Sequence, residues 1–174
     1  MIDDDIAEAA RRLLAICKRK NLLVATAESC TAGLVAGTLT DIPGTSSILD
    51  RGFITYSNEA KHEMLGVPQD ILRMFGAVSR ETAEAMARGV LGHSRVHLAV
   101  SVTGVAGPDG GSAEKPVGLV HFAAATRSGR LIHAEKRFGD IGRANVRKHS
   151  VLQAFLMLHA LAEGETSNPP RQAV

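Results

Sequence analysis

The stretch His97-Leu-Ala-Val-Ser-Val-Thr103 limits the possible folds more than any other part of this chain. Its residues are apolar at positions that face opposite sides of a strand, so both sides need cover. Such a strand belongs in the middle of a sheet with helices above and below. Helical and strand patterns alternate through the first two thirds of the chain, and a hairpin pattern follows. The predicted fold class is therefore α/β: a three-layer α/β/α sandwich with a mixed sheet, in a single domain over residues 1–163.

The flanking elements are legible from pattern and punctuation. Asp3, Asp4 and Asp5 precede the apolar positions Ile6, Ala9, Leu13 and Ile16, and Lys18 to Lys20 close the segment. This is an amphipathic helix aligned with its own dipole, expected to cover a sheet face. Leu22 to Ala25 suits a buried strand, and a helix from about Ser29 to Asp41 should follow. That helix is rich in small residues, with Gly33 and Gly37 four apart, so close packing against a sheet or a partner is expected. Ile42 to Ser47 reads as a turn, and Leu49 to Ser57 as a β-branched and aromatic strand. Asn58 to Leu65 is a short helix capped by Ser57 or Asn58, and Pro68 starts another, to about Phe75. Ser79 caps a third, through Ala83, Met86 and Val90. Val117 to Thr126 and Leu131 to Phe138 should pair across Arg127-Ser-Gly-Arg130. Arg143 to Ala162 is one long helix whose stripe Val151, Phe155, Leu158 and Ala162 is widened by Leu152, Leu156 and Leu161. A subunit interface would use that excess, and a homo-oligomer, a dimer, is the expectation. Residues 164–174 carry Pro169-Pro170 and no pattern, as in a disordered tail.

Composition removes several function classes. Aromatic residues make up 3% of the chain and Trp is absent, which gives stacked bases little to sit on. The formal charge is +2 with basic residues scattered, so nucleic acid is not an expected partner. Cys17 and Cys30 form neither a CxxC pair nor a disulfide framework. The start Met-Ile-Asp-Asp-Asp lacks the features of a signal peptide, and no apolar run would span a membrane, so no membrane partner and a cytoplasmic location are expected. The seven histidines show no ligand spacing, so neither a metal nor another cofactor is expected. Surface or packed positions are the expectation for His62 and His149.

In α/β sheets of this kind, sites form at the carboxyl ends of strands. Three stretches are candidates to meet there: the turn at Ser29, the strand end at Tyr56 with Lys61, and the loop from Thr103. Ser29 reads either as a capping serine or as a nucleophile whose neighbours Cys30 and Thr31 offer backbone amides to an oxyanion. Lys61 is either a solvent-facing lysine or a general base, and the second role requires burial or nearby positive charge. Tyr56, the only tyrosine, suits core packing or a hydroxyl relay. Ser57 is a rival partner for the amine, and Cys30 a rival nucleophile with no histidine placed to pair with it. Gly104-Val-Ala-Gly-Pro-Asp-Gly-Gly-Ser112 is neither GxGxxG nor a Walker loop, so it either contacts phosphate or ribose through backbone amides or simply connects strands.

Taken together, Thr26-Ala-Glu-Ser-Cys-Thr31, Arg51-Gly-Phe-Ile-Thr-Tyr-Ser-Asn-Glu-Ala-Lys61, Gly76-Ala-Val-Ser79, Gly104-Val-Ala-Gly-Pro-Asp-Gly-Gly111 and Glu114-Lys-Pro-Val-Gly118 resemble the CinA C-terminal domain family in its stand-alone form. The resemblance implies nicotinamide-nucleotide amidohydrolase activity: deamidation of nicotinamide mononucleotide to nicotinic acid mononucleotide and ammonia, in pyridine nucleotide recycling. It also implies a metal-independent Ser–Lys mechanism, with Ser29 attacking, Lys61 carrying the proton and Tyr56 assisting through its hydroxyl. Cys30, Thr31, Thr103, Gly104 and Gly107 would line the substrate site, and Arg143, or Arg147 as the alternative, would meet the phosphate or ribose end. Two departures stand out. Ala32 replaces the first glycine of a usual Thr-Gly-Gly, and Thr103-Gly104 stands where Ser-Gly is common. A non-catalytic nucleotide-binding module related to competence or DNA-damage proteins is the alternative function.

Overall fold

The structure is a computed structural model that describes residues 3–168. The first helix, α1 (Asp4–Lys20), begins with Asp4 and Asp5, ends in Lys18, Arg19 and Lys20, and stops where Asn21 turns left-handed. Strand β1 (Val24–Glu28) follows, then α2 (Leu34–Thr40), a short 3₁₀ turn, and β2 (Leu49–Ile54). Three helices come next: α3 (Asn58–Leu65), α4 (Gln69–Phe75) and α5 (Arg80–Gly92). The chain ends in β3 (Leu98–Gly104), the hairpin β4 (Leu119–Thr126) and β5 (Leu131–Arg137), and α6 (Arg143–Gly164).

The five strands form one mixed sheet in the order β2-β1-β3-β4-β5. β2, β1 and β3 run parallel, and β4 and β5 are antiparallel to their neighbours. The doubly apolar strand is β3, and it lies at the centre. Its register with β1 pairs Val24 with Leu98 and Glu28 with Val102, so β1 ends beside Val102 while β3 runs on to Gly104.

Alternation along the strands sorts residues by size. Val24, Leu98, Val100, Val102, Val120 and Phe122 pack with α1, α2 and α6. Ala25, Ala27 and Ala99 meet α3, α4 and α5, and Ala123 and Ala125 meet α5. Small side chains let α5 lie close to the sheet, close enough for Ser101 Oγ to donate to Ala83 O at 2.6 Å. Large ones fill the deeper layer under α6.

Several boundaries differ from the sequence reading. β1 starts at Val24 and runs to Glu28, and β2 stops at Ile54. Helix α2 begins at Leu34 rather than Ser29, because Ala32 (φ 50) and Gly33 (φ 91) hold left-handed backbone. Two such residues keep 29–33 as a turn. Gly33 is thus outside the helix, and close packing against the sheet is made there and at Ala36. A Cβ at Gly33 would stand 3.0 Å from Ile54 Cδ1 and one at Gly52 3.3 Å from Ala36 Cβ, whereas a Cβ at Gly37 would meet nothing within 4 Å. The apolar excess of α6 is largely internal. Leu161 is buried and Leu152 packs against the core, while Leu156 is exposed. Helix α1 packs along α6. Residues 164–168, expected to begin a tail, fold back instead. Asn168 N–H donates to Lys20 O at 2.9 Å, and Lys20 Nζ donates to the carbonyls of Ala162, Glu163 and Glu165. The remainder of that segment, 169–174, lies outside the described residues. Among the described residues no helix is long and apolar enough to cross a membrane.

Candidate active site

Three chain segments are bonded together where β1 ends. Ser29 N–H donates to Val102 O on β3 at 2.9 Å, and Thr55 N–H, just past β2, donates to Glu28 O at 2.9 Å. The strand ends therefore hold Ser29 beside the segment 55–57 that leads into α3. Ser57 Oγ accepts from Ala60 N–H at 3.0 Å and caps α3, which commits the hydroxyl that had been a rival partner for the amine. One turn further on, the helix delivers Lys61 into the interior.

Lys61 is fully buried. Its Nζ lies 3.0 Å from Ser29 Oγ, 2.9 Å from Thr55 O and 3.3 Å from Tyr56 O, with Ser57 O at 3.5 Å. No carboxylate pairs with it among the described ion pairs. Burial lowers its pKa from the ordinary 10.5 to about 8, and Cys30 and Glu59 oppose that shift weakly. A neutral amine carries two hydrogens and one lone pair. The Thr55 and Tyr56 carbonyls can take the two hydrogens, which leaves the lone pair facing Ser29 Oγ. This arrangement can withdraw a proton from the serine hydroxyl.

The residue just before Ser29 is a second buried ionisable side chain that sequence reasoning missed. Glu28 is 1% exposed, and each of its carboxylate oxygens accepts two hydrogen bonds. Oε1 takes Thr26 Oγ1 at 3.0 Å and Ala36 N–H at 2.9 Å, and Oε2 takes Gly33 N–H at 2.9 Å and Val35 N–H at 3.0 Å. Glu28 thus satisfies the opening amides of α2 that a cap residue would normally serve. The one available signal was an acid set directly before a serine and a small-residue helix. The amides of Cys30 and Thr31 take no partner in another residue among those described. The Cys30 thiol is buried, and burial pushes its pKa up to about 11, so it stays protonated and is a poor nucleophile.

The other expected site residues divide. Tyr56 is 60% exposed, and its hydroxyl accepts from Arg143 Nη2 at 3.2 Å, not from the Ser29–Lys61 pair. Tyr56 meets the amine through its backbone carbonyl, at 3.3 Å from Lys61 Nζ. Arg143 opens α6 and also donates from Nη1 to Gly107 O at 3.0 Å, so it bridges the glycine loop to Tyr56. Arg147, one turn later, donates from Nη2 to Thr31 O at 2.9 Å. Thr103 turns its hydroxyl to Ala77 O at 2.7 Å and so anchors the Gly76–Ser79 segment. Gly104 is demanded by packing, since a Cβ there would stand 2.6 Å from Leu119 O. Gly107 (φ 75) leaves no room either, with Val117 Cγ1 2.5 Å from a Cβ. The buried side-chain polar atoms without a partner among the described residues are Thr31 Oγ1, Thr55 Oγ1 and Arg147 Nε. All three belong to residues bonded to this site, where unsatisfied groups are expected. Among the described residues, no three His, Cys, Asp or Glu side chains could hold a metal ion together.

The CinA C-terminal domain family model matches residues 6–162. Nicotinamide-nucleotide amidohydrolase PncC of Enterobacter agglomerans is 50% identical over 141 residues, covering 80% of this chain and 86% of that protein. A putative competence-damage inducible protein of Acetivibrio thermocellus is 44% identical over 156 residues, covering 90% of this chain but 37% of its own length. The chain therefore spans little more than a third of that longer relative. The crystal structure of the competence/damage inducible protein CihA from Agrobacterium tumefaciens matches with a TM-score of 0.91 at 55% identity, covering 92% of this chain and 98% of that one.

Proposed function

The chain belongs to the CinA C-terminal domain family, and on that premise we propose that it is an amidohydrolase acting on nicotinamide mononucleotide. The products are nicotinic acid mononucleotide and ammonia. The substrate follows from the amidohydrolase relative, and one observation carries the chemistry: the buried Lys61 amine 3.0 Å from Ser29 Oγ.

Ser29 Oγ attacks the carboxamide carbon while Lys61 Nζ takes the hydroxyl proton. The oxyanion meets the Cys30 and Thr31 amides, which donate to no other residue among those described. Collapse breaks the C–N bond, and Lys61 returns the proton to the departing nitrogen, which leaves as ammonia. The resulting ester on Ser29 is opened by water with Lys61 again as base, which releases the carboxylate and restores the serine. The fixed positive charge of the pyridinium ring next to the amine would lower the Lys61 pKa further. Arg143 takes the phosphate or ribose end, since its head is exposed at the rim beside the glycine loop. Arg147 is committed to Thr31 O and serves the turn.

Ammonia release from nicotinamide mononucleotide, with chelator present, tests this reading. Wild-type protein should turn over, and Ser29→Ala should fall to background. Wild-type protein that is stabilised thermally by the nucleotide but releases no ammonia would overturn the enzyme reading in favour of a binding module.

A further inference from the structure

We propose that Glu28 is the positioning residue of the nucleophile turn. The proposal rests on Ser29 being the nucleophile of the reaction above. Glu28 precedes Ser29, and its main chain and side chain hold different parts of the same site. Its carbonyl accepts from Thr55 N–H, the residue whose own carbonyl holds Lys61 Nζ at 2.9 Å. Its side chain accepts from Gly33, Val35 and Ala36 N–H, which lie on the far side of the turn. The turn 29–33 thereby starts from Glu28 and is tied at its far end to the buried carboxylate of the same residue.

Two features mark this as more than an ordinary cap. A cap residue directly precedes its helix, whereas Glu28 reaches across five residues to Gly33 and eight to Ala36. The turn it spans also includes Ala32 in left-handed backbone (φ 50), a conformation disfavoured for an L-residue unless its surroundings hold it. Glu28 supplies that hold, together with Arg147 Nη2 on Thr31 O. Because the carboxylate occupies the first amides of α2, the helix terminus is already satisfied. The donors left for an oxyanion are the turn amides of Cys30 and Thr31, whose direction Glu28 fixes.

The experiment compares Glu28→Gln and Thr26→Val with wild type. Glutamine keeps the shape but turns a donor amide toward backbone N–H groups, while Thr26→Val removes one of the four donors without altering the chain. Ammonia release from nicotinamide mononucleotide gives kcat and KM. Sulfonylation of Ser29 by phenylmethanesulfonyl fluoride, in which an O–S bond forms and fluoride leaves, gives a substrate-independent readout of the nucleophile. Val151→Ala, in the core of α6 beyond the site, is the control for lost stability alone. The expected result for folded Glu28→Gln is a kcat lowered about 100-fold with KM within about threefold of wild type, and a parallel loss of sulfonylation rate. Thr26→Val should show the same pattern more weakly, and it carries the test if Glu28→Gln does not fold. Val151→Ala should melt earlier with kcat unchanged. Wild-type kcat and sulfonylation rate in folded Glu28→Gln, or in Thr26→Val, would overturn the proposal. If wild type itself releases no ammonia, the sulfonylation comparison still decides the role of Glu28, separately from the choice of substrate.

Discussion

In the proposed mechanism Lys61 is the residue on which both charge and chemistry turn. Only its neutral form can accept the Ser29 proton, and burial brings its pKa down to about 8. Activity should therefore climb as pH rises through about 8 and level off above it, as read from a kcat/KM profile in ammonia release. Lys61→Arg should be inactive at every pH, because a guanidinium stays protonated, and Lys61→Ala should lose at least about 100-fold for want of a general base. A flat profile in wild type would contradict this account. Cys30 makes the opposite case. Its thiol is buried and held protonated, so in the proposed mechanism only its backbone amide takes part, and Cys30→Ala should retain turnover. Loss of turnover in that variant, with Ser29→Ala still active, would move the nucleophile to the cysteine.

At the scale of elements, the turn before α2 and the crossing of α3 on α5 are the sensitive points. Ala32 occupies left-handed backbone, which costs an L-residue about 1–2 kcal/mol. Glycine would relieve that while giving back about 0.4–1 kcal/mol through a freer unfolded chain. Ala32→Gly should leave the urea midpoint unchanged or raise it, and a midpoint lowered by more than about 1 kcal/mol equivalent would contradict the strain. Gly89→Ala should go the other way. Its Cβ would stand 2.2 Å from Leu65 O and 2.9 Å from Leu65 Cβ, and backbone cannot step aside as a side chain can. A loss of about 1–3 kcal/mol is expected. Leu65 ends the helix that carries Lys61, so turnover should fall along with the melting temperature. An enzyme unaffected in both would mean that α3 can shift without disturbing the amine.

For the whole molecule, the buried amine makes stability depend on pH. Below about pH 8 Lys61 is protonated in both folded and unfolded chains, and the cost of burying its charge is fully present. Between about 8 and 10.5 the unfolded chain binds the proton that the folded chain has released, so the contribution of this group to stability rises with pH. Urea midpoints for wild type should show that rise relative to Lys61→Met, which has no such proton to lose. Parallel curves for the two proteins would show that the amine titrates alike folded and unfolded. The amino-acid sequence was enough for features set by local chemistry or by burial on both faces. These are the central β3, the β4–β5 hairpin, the cap at Ser79 and one at Ser57 or Asn58, and the layered fold around them. It also singled out Ser29 and Lys61 as residues able to do chemistry. It could not give the start of α2, because alanine carries no signal for a left-handed turn. Nor could it say that α1 packs along α6 while Leu156 stays exposed. Whether Lys61 faces solvent or Ser29, whether the Tyr56 hydroxyl meets the amine or Arg143, and what the carboxylate of Glu28 holds were decided by tertiary structure alone. Each depends on burial or on a contact between segments whose spacing in the chain leaves no periodic trace.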